Sequence, residues 1–77
     1  MNEREWLAYF GVNLEEYLKA AKMSQRDLAD ASGLSEAAVS NYIRGRKMPG
    51  VRALINMAEA LNCSVDELVD FGLGKIN

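Results

Sequence analysis

Few side chains in this chain could carry chemistry, and their spacing narrows the choice further. Among 77 residues there is no histidine and one cysteine, Cys63. A Ser/His/Asp or Cys/His nucleophilic arrangement therefore lacks its base, and no zinc site has ligands at plausible spacing. The carboxylate pairs Glu15/Glu16 and Asp66/Glu67 fall in the first turns of predicted helices. Acids there stabilise the positive end of the helix dipole, a reading that outweighs a catalytic one. Gly45 and Gly50 have the separation of a phosphate-binding loop, but Val51 stands where such a loop needs lysine. Cys63, between Leu61 and Val65, reads as a small buried hydrophobe rather than a reactive thiol. The expectation is a protein that is not an enzyme and needs no cofactor or metal.

What remains is charge, and its distribution matters more than its sum. The net charge is −2. Between Lys19 and Arg52, seven bases (Lys19, Lys22, Arg26, Arg44, Arg46, Lys47, Arg52) face three acids (Asp27, Asp30, Glu36), a local excess of +4. Residues 1–18 and 53–77 each carry −3. A basic middle between acidic ends suits a protein that presents one face to a polyanion; accidental clustering is the plainer alternative.

These groups need elements to position them, and the pattern is helical throughout. Trp6, Leu7 and Phe10 share one helical side. Residues 3–10 can thus form a short extra helix, interrupted at Gly11, whose aromatics cover the core. Asn13 with Glu16 predicts the start of the next helix, and Leu14, Tyr17, Leu18 and Ala21 give it one apolar face. Ser24 with Asp27 opens a second helix with Leu28, Ala29 and Ala31 inward, and Gly33 supplies the left-handed residue that ends it. Ser35 caps a third helix with Leu34, Ala38, Val39 and Tyr42 on its buried side; Glu36, Ala37, Ser40, Asn41 and Arg44 lie on or near the outer side. Residues 44–50 form a loop with two glycines, one proline and three bases. Val51, Leu54, Ile55, Ala58 and Leu61 mark the stripe of a fourth helix, and Ser64 with Glu67 opens a short fifth. Two helices joined about a single glycine, from Ser24 to Ile43, are the pattern of a helix-turn-helix.

The motifs then carry a name. Ser-Gln-x-x-Leu-Ala at Ser24–Ala29, Ser-Gly-Leu-Ser at Ser32–Ser35, Val-Ser-Asn-Tyr at Val39–Tyr42, Gly45, Pro49, Leu-Ile-x-Met-Ala-x-Ala-Leu at Leu54–Leu61 and Val-Asp-Glu-Leu at Val65–Leu68 resemble the Cro/CI-type (XRE-like) helix-turn-helix family. The resemblance covers residues 13–69. It implies an all-α fold: a compact, five-helix, lambda-repressor-like DNA-binding domain at 13–70, preceded by an N-terminal extension at 1–12 that can add a short helix and followed by a tail at 71–77.

It also implies roles. Gln25 matches the family's phosphate-contacting glutamine, with Arg26 beside it. Ser35, Glu36, Ala37, Ser40 and Asn41 match positions that face bases or flanking phosphates. Arg44, Arg46 and Lys47 match the backbone-contacting turn that follows the recognition helix. Ser35 can equally be a cap alone, and Glu36 can serve the helix dipole or accept from cytosine N4. Ala37 offers only apolar contact with a thymine methyl, whereas the Asn41 amide can bond adenine N6 and N7. Two departures stand out: Ile43 replaces an acid frequent in relatives, and Gly50 replaces a serine N-cap.

The function so implied is a sequence-specific, double-stranded-DNA-binding transcriptional regulator, a repressor acting as a homodimer on a two-fold operator, with its third helix in the major groove. Phe71, Leu73 and Ile76, or Trp6 and Phe10, are the apolar surfaces available for dimerisation. The alternative is a protein-interaction module on the same scaffold, such as an antitoxin whose partner is a toxin or another protein. A single cysteine, an acidic N-terminus unlike a signal peptide and the lack of any apolar run near ~18 residues point to a cytoplasmic protein with no membrane partner, and the resemblance implies a bacterial or phage origin.

Overall fold

A computed structural model describes residues 1–71. Five helices follow in order: α1 (Glu3–Ala21), α2 (Gln25–Ser32), α3 (Glu36–Ile43), α4 (Val51–Ala60) and α5 (Val65–Leu68). α3 packs on α1 and α2, α4 on α2 and α5, and α5 closes back on α1. Phe10, Leu14 and Leu18 of α1 meet Leu28, Val39, Met57 and Leu68 in one buried cluster.

The caps lie where the sequence places them. Ser24 and Ser64 form reciprocal capping boxes with Asp27 and Glu67. Ser35 accepts the Ala38 amide at 3.0 Å without a reciprocal acid. Gly50 begins α4 with no side-chain cap bond. Gly33 ends α2 in the left-handed region at φ 71°.

The first helix departs from expectation. It runs unbroken for 19 residues, straight through the predicted interruption at Gly11 and the predicted start at Asn13. Its N-cap is Asn2, which accepts the Glu5 amide at 2.8 Å while the Glu5 carboxylate accepts the Asn2 amide. Gly11 is buried. A Cβ there would lie 2.9 Å from the Tyr42 carbonyl oxygen and closer still to that of Ile43. Glycine marks a close crossing of α1 over the end of α3, and the apolar stripe continues past it. Asn13, in mid-helix, donates its side-chain amide to the Leu68 carbonyl. Tyr17 donates to the Glu67 carbonyl at 3.4 Å, so one edge of α1 holds α5.

Some inward positions are also corrected. Ala21 is exposed because the helix ends there and Lys22 turns the chain at φ 57°. Ala31 is exposed, whereas Ser32 is buried. Its hydroxyl donates back to the Leu28 carbonyl at 2.5 Å, which satisfies it inside the core. On α4 the buried stripe is rotated: Val51 and Ile55 face solvent, and Ala53 and Met57 take the inside. α2 on one side and α5 on the other set that rotation. Trp6 stacks on Phe10 with centroids 5.0 Å apart, and Phe71 meets the Trp6 ring edge-on. The aromatics thus cover the core as expected. Phe10 is fully buried and cannot serve as a dimer surface; Leu73 and Ile76 lie outside the described residues. Cys63 is half-buried, and burial pushes its thiol up, with Glu67 adding to the shift.

Candidate nucleic-acid interface

α2, the turn and α3 form the centre of the site. The Leu34 amide donates to the Ala29 carbonyl at 2.9 Å across Gly33, which tightens the turn that left-handed residue allows. Ser35 then starts α3 at once. The two helices therefore hold one fixed relation, with Leu28, Ala29, Val39 and Tyr42 buried between them and the core.

The face of α3 follows from its period. At about 100° per residue, Val39 and Tyr42 define the buried side. The opposite side is centred on Ala37 and Asn41, with Ser40 and Glu36 at its flank. Glu36 and Ala37 are exposed, and Ser40 and Asn41 are half-buried. Ser35 is exposed at the N-cap. All five predicted α3 positions thus share one outward surface. Its side chains are short apart from Glu36 and Asn41, and its charge is neutral to acidic.

Beyond α3 the chain folds tightly. The Arg44 amide donates to the Ser40 carbonyl at 3.0 Å, Gly45 to Tyr42 at 3.1 Å and Arg46 to Asn41 at 2.9 Å. Gly45 sits at φ 70°, and buried Pro49 anchors the far end of the loop. Arg44, Arg46 and Lys47 project into solvent between these anchors. Their positive charges adjoin the negative pole of α3.

The α2 residues divide. Arg26 is exposed, next to Asp27, whose carboxyl is held below the usual range mainly by the Ser24 hydrogen bonds, with Arg26 a minor contributor. Gln25 is half-buried, on the inner stripe with Leu28, Ala29 and Ser32, and reaches the outer surface only at the start of its helix. Among the described residues, no hydrogen bond or ion pair engages the side chains of Gln25, Glu36, Ser40, Asn41, Arg44, Arg46 or Lys47. These polar groups are available to a ligand without breaking an internal contact. Sequence reasoning missed one group tied to this surface: the α1 residues beneath the end of α3. The only signal in the chain was Gly11, which in isolation reads as a helix breaker.

Comparison with known proteins agrees with this arrangement. The helix-turn-helix family model HTH_3 matches residues 14–68. An uncharacterized HTH-type transcriptional regulator of Sinorhizobium fredii, y4dL, is 36% identical over 63 residues, covering 77% of this chain and 32% of its own length. The HTH-type regulator YqaE of Bacillus subtilis, likewise uncharacterized, is 33% identical over 60 residues, covering 78% of this chain and 52% of its own. This chain therefore spans a third to a half of those two relatives. Among solved structures, the restriction-modification controller protein C.AhdI from Aeromonas hydrophila superposes with a TM-score of 0.79 at 34% identity, over 80% of this chain and 94% of that one. The clp gene regulator ClgR from Corynebacterium glutamicum gives 0.82 at 27% identity, over 92% and 76%.

Proposed function

The chain belongs to the Cro/CI-type helix-turn-helix family, and from that premise we propose that it is a sequence-specific DNA-binding transcriptional regulator, a repressor that binds a two-fold operator as a homodimer. α3 enters the major groove with Ala37 and Asn41 towards the base edges and Ser35, Glu36 and Ser40 beside them. Gln25 and Arg26 hold a phosphate at the start of α2, and Arg44, Arg46 and Lys47 hold the backbone beyond α3. The DNA-binding unit is residues 13–70, with residues 1–12 extending its first helix; the tail expected beyond it lies, from residue 72 on, outside the described residues.

One observation carries this reading. The three loop cations are exposed, unpaired among the described residues and follow directly on an outward-facing helix, to which the Arg44 and Arg46 amides bond back. A helix of two turns reads only a few base pairs, so useful specificity calls for two copies on half-sites about 34 Å apart. The exposed apolar residues offered to a second copy are Tyr9 and Val12 on α1 and Met48, Val51 and Ile55 around the start of α4. The relatives, named as transcriptional regulators of bacteria, support a bacterial cytoplasmic protein. Among the described residues no helix is long and apolar enough to cross a membrane. A toxin as the main partner draws no support from those relatives.

The test is a fluorescence-anisotropy titration at low salt of duplexes tiling the DNA upstream of the protein's own gene. Saturable binding to one duplex well above a shuffled control is expected. Equal, weak binding to all of them would refute sequence-specific recognition.

A further inference from the structure

We infer that Gly11 is a positioning residue for DNA contact: its bare surface on α1 seats the C-terminal end of α3 and so sets where Arg44, Arg46 and Lys47 lie. The inference rests on the DNA-binding reading above and adds to it an element, the N-terminal part of α1, that touches no base or phosphate itself.

Glycine inside a helix is costly relative to alanine. A glycine buried in the middle of a 19-residue helix therefore has a cause outside that helix. The cause is backbone. A Cβ at position 11 would come within 2.9 Å of the Tyr42 carbonyl oxygen and nearer still to the Ile43 oxygen. Carbonyls cannot rotate aside as a side chain can, so an alanine there forces the end of α3 away from α1. One turn earlier on α1 the contact continues: a Cβ on Gly45 would lie 3.4 Å from the Leu7 carbonyl oxygen and 3.5 Å from the Ala8 Cα. Two successive turns of α1 thus line the segment from Tyr42 to Gly45.

That segment is coupled to the cations. The Gly45 amide bonds Tyr42, and the Arg46 amide bonds Asn41. Displacing residues 42 and 43 carries 44 to 46 with them. Leu7, Ala8 and Gly11 all precede the stretch matched by the family model, residues 14–68.

A merely structural glycine and a positioning one differ in what their loss does to folded protein. The salt dependence of binding counts phosphate contacts, at about 0.9 per contact in the slope of log K against log salt, whatever the sequence bound. A short random-sequence duplex therefore serves as probe. Gly11→Ala is expected to lower the slope by about 1 to 2, the loss of one or two phosphate contacts. It is also expected to speed amide exchange at Gly45 and Arg46 in the free protein. Leu68→Val, on α5, which packs on α1 and α4, is expected to lower stability and leave the slope unchanged.

A Gly11→Ala protein that binds with the wild-type slope and wild-type exchange at 45 and 46 would overturn the inference. If the variant is unfolded in buffer, the titration is repeated in sucrose, which favours the compact state; recovery of the wild-type slope there would overturn it equally. Absence of binding by the wild type would instead sink the DNA reading. The exchange measurement would then still decide whether α1 holds the loop.

Discussion

The side-chain amide of Asn13 donates to the carbonyl of Leu68, joining the middle of α1 to the last residue of α5. That carbonyl is an end-of-helix acceptor with no intrahelical partner, and the bond satisfies it where it is partly buried. Asn13→Ala should lower unfolding stability in urea by about 1–2 kcal/mol, the cost of an orphaned acceptor. DNA affinity of the folded protein should stay within twofold of wild type. A loss of stability too small to measure would show that water replaces the amide.

Gly50 begins α4 without a capping side chain, in extended backbone at φ −76°, and a Cβ there meets nothing within 4 Å. Serine fits without strain and supplies the missing acceptor. Gly50→Ser should raise stability by about 0.5–1 kcal/mol, through the cap and through a less flexible unfolded chain. Thermal unfolding checks it, and a lowered midpoint would contradict it.

The carboxylates of Asp27 and Glu67 each accept the backbone amide of the capping serine three residues earlier, which holds both below their ordinary pKa. Their unfolded forms therefore bind protons at higher pH than the folded ones. The stability they contribute is complete above the ordinary carboxylate range and is lost as pH falls through the depressed folded values. The thermal midpoint should hold steady from neutral pH to about 5 and fall below it. Asp27→Asn with Glu67→Gln, which keeps an acceptor oxygen but cannot titrate, should flatten that acid limb. An equally steep limb would place the acid sensitivity elsewhere.

Arg46 and Lys47 stand exposed on the loop after α3. Changing both to alanine should weaken binding to every duplex alike and reduce the salt slope by about 2. Selective loss on one sequence only would mean that they read bases.

Asn41 lies on the outer side of α3 with its amide unengaged among the described residues. Asn41→Ala should relax preference at a single base position, by about 1–3 kcal/mol, in a selection from randomised duplexes. An unchanged preference would move base readout to Glu36 or Ser40.

Which parts were legible in the chain follows from how far each interaction reaches. Ser24 with Asp27, Ser35 with Ala38 and Ser64 with Glu67 are contacts three residues apart, so the starts of α2, α3 and α5 can be read directly. Gly33 needs only its own φ to end α2. The loop cations are visible because glycine and proline surround them. By the same local rule, Asn13 followed by Glu16 promised a helix start, and Gly11 promised a break.

The sequence by itself therefore determined the helix-turn-helix, its caps and the basic loop beyond it, because each is specified by neighbours within one helical turn. Tertiary structure alone decided that α1 runs through Gly11, that Asn13 staples α5, and that α4 turns Met57 inward and Ile55 outward. A glycine in a helix is a defect until a carbonyl from residue 42 or 43 presses against it. An asparagine is a cap until an acceptor 55 positions away claims its amide. Such meanings are supplied by what packs alongside, and local spacing holds no record of it.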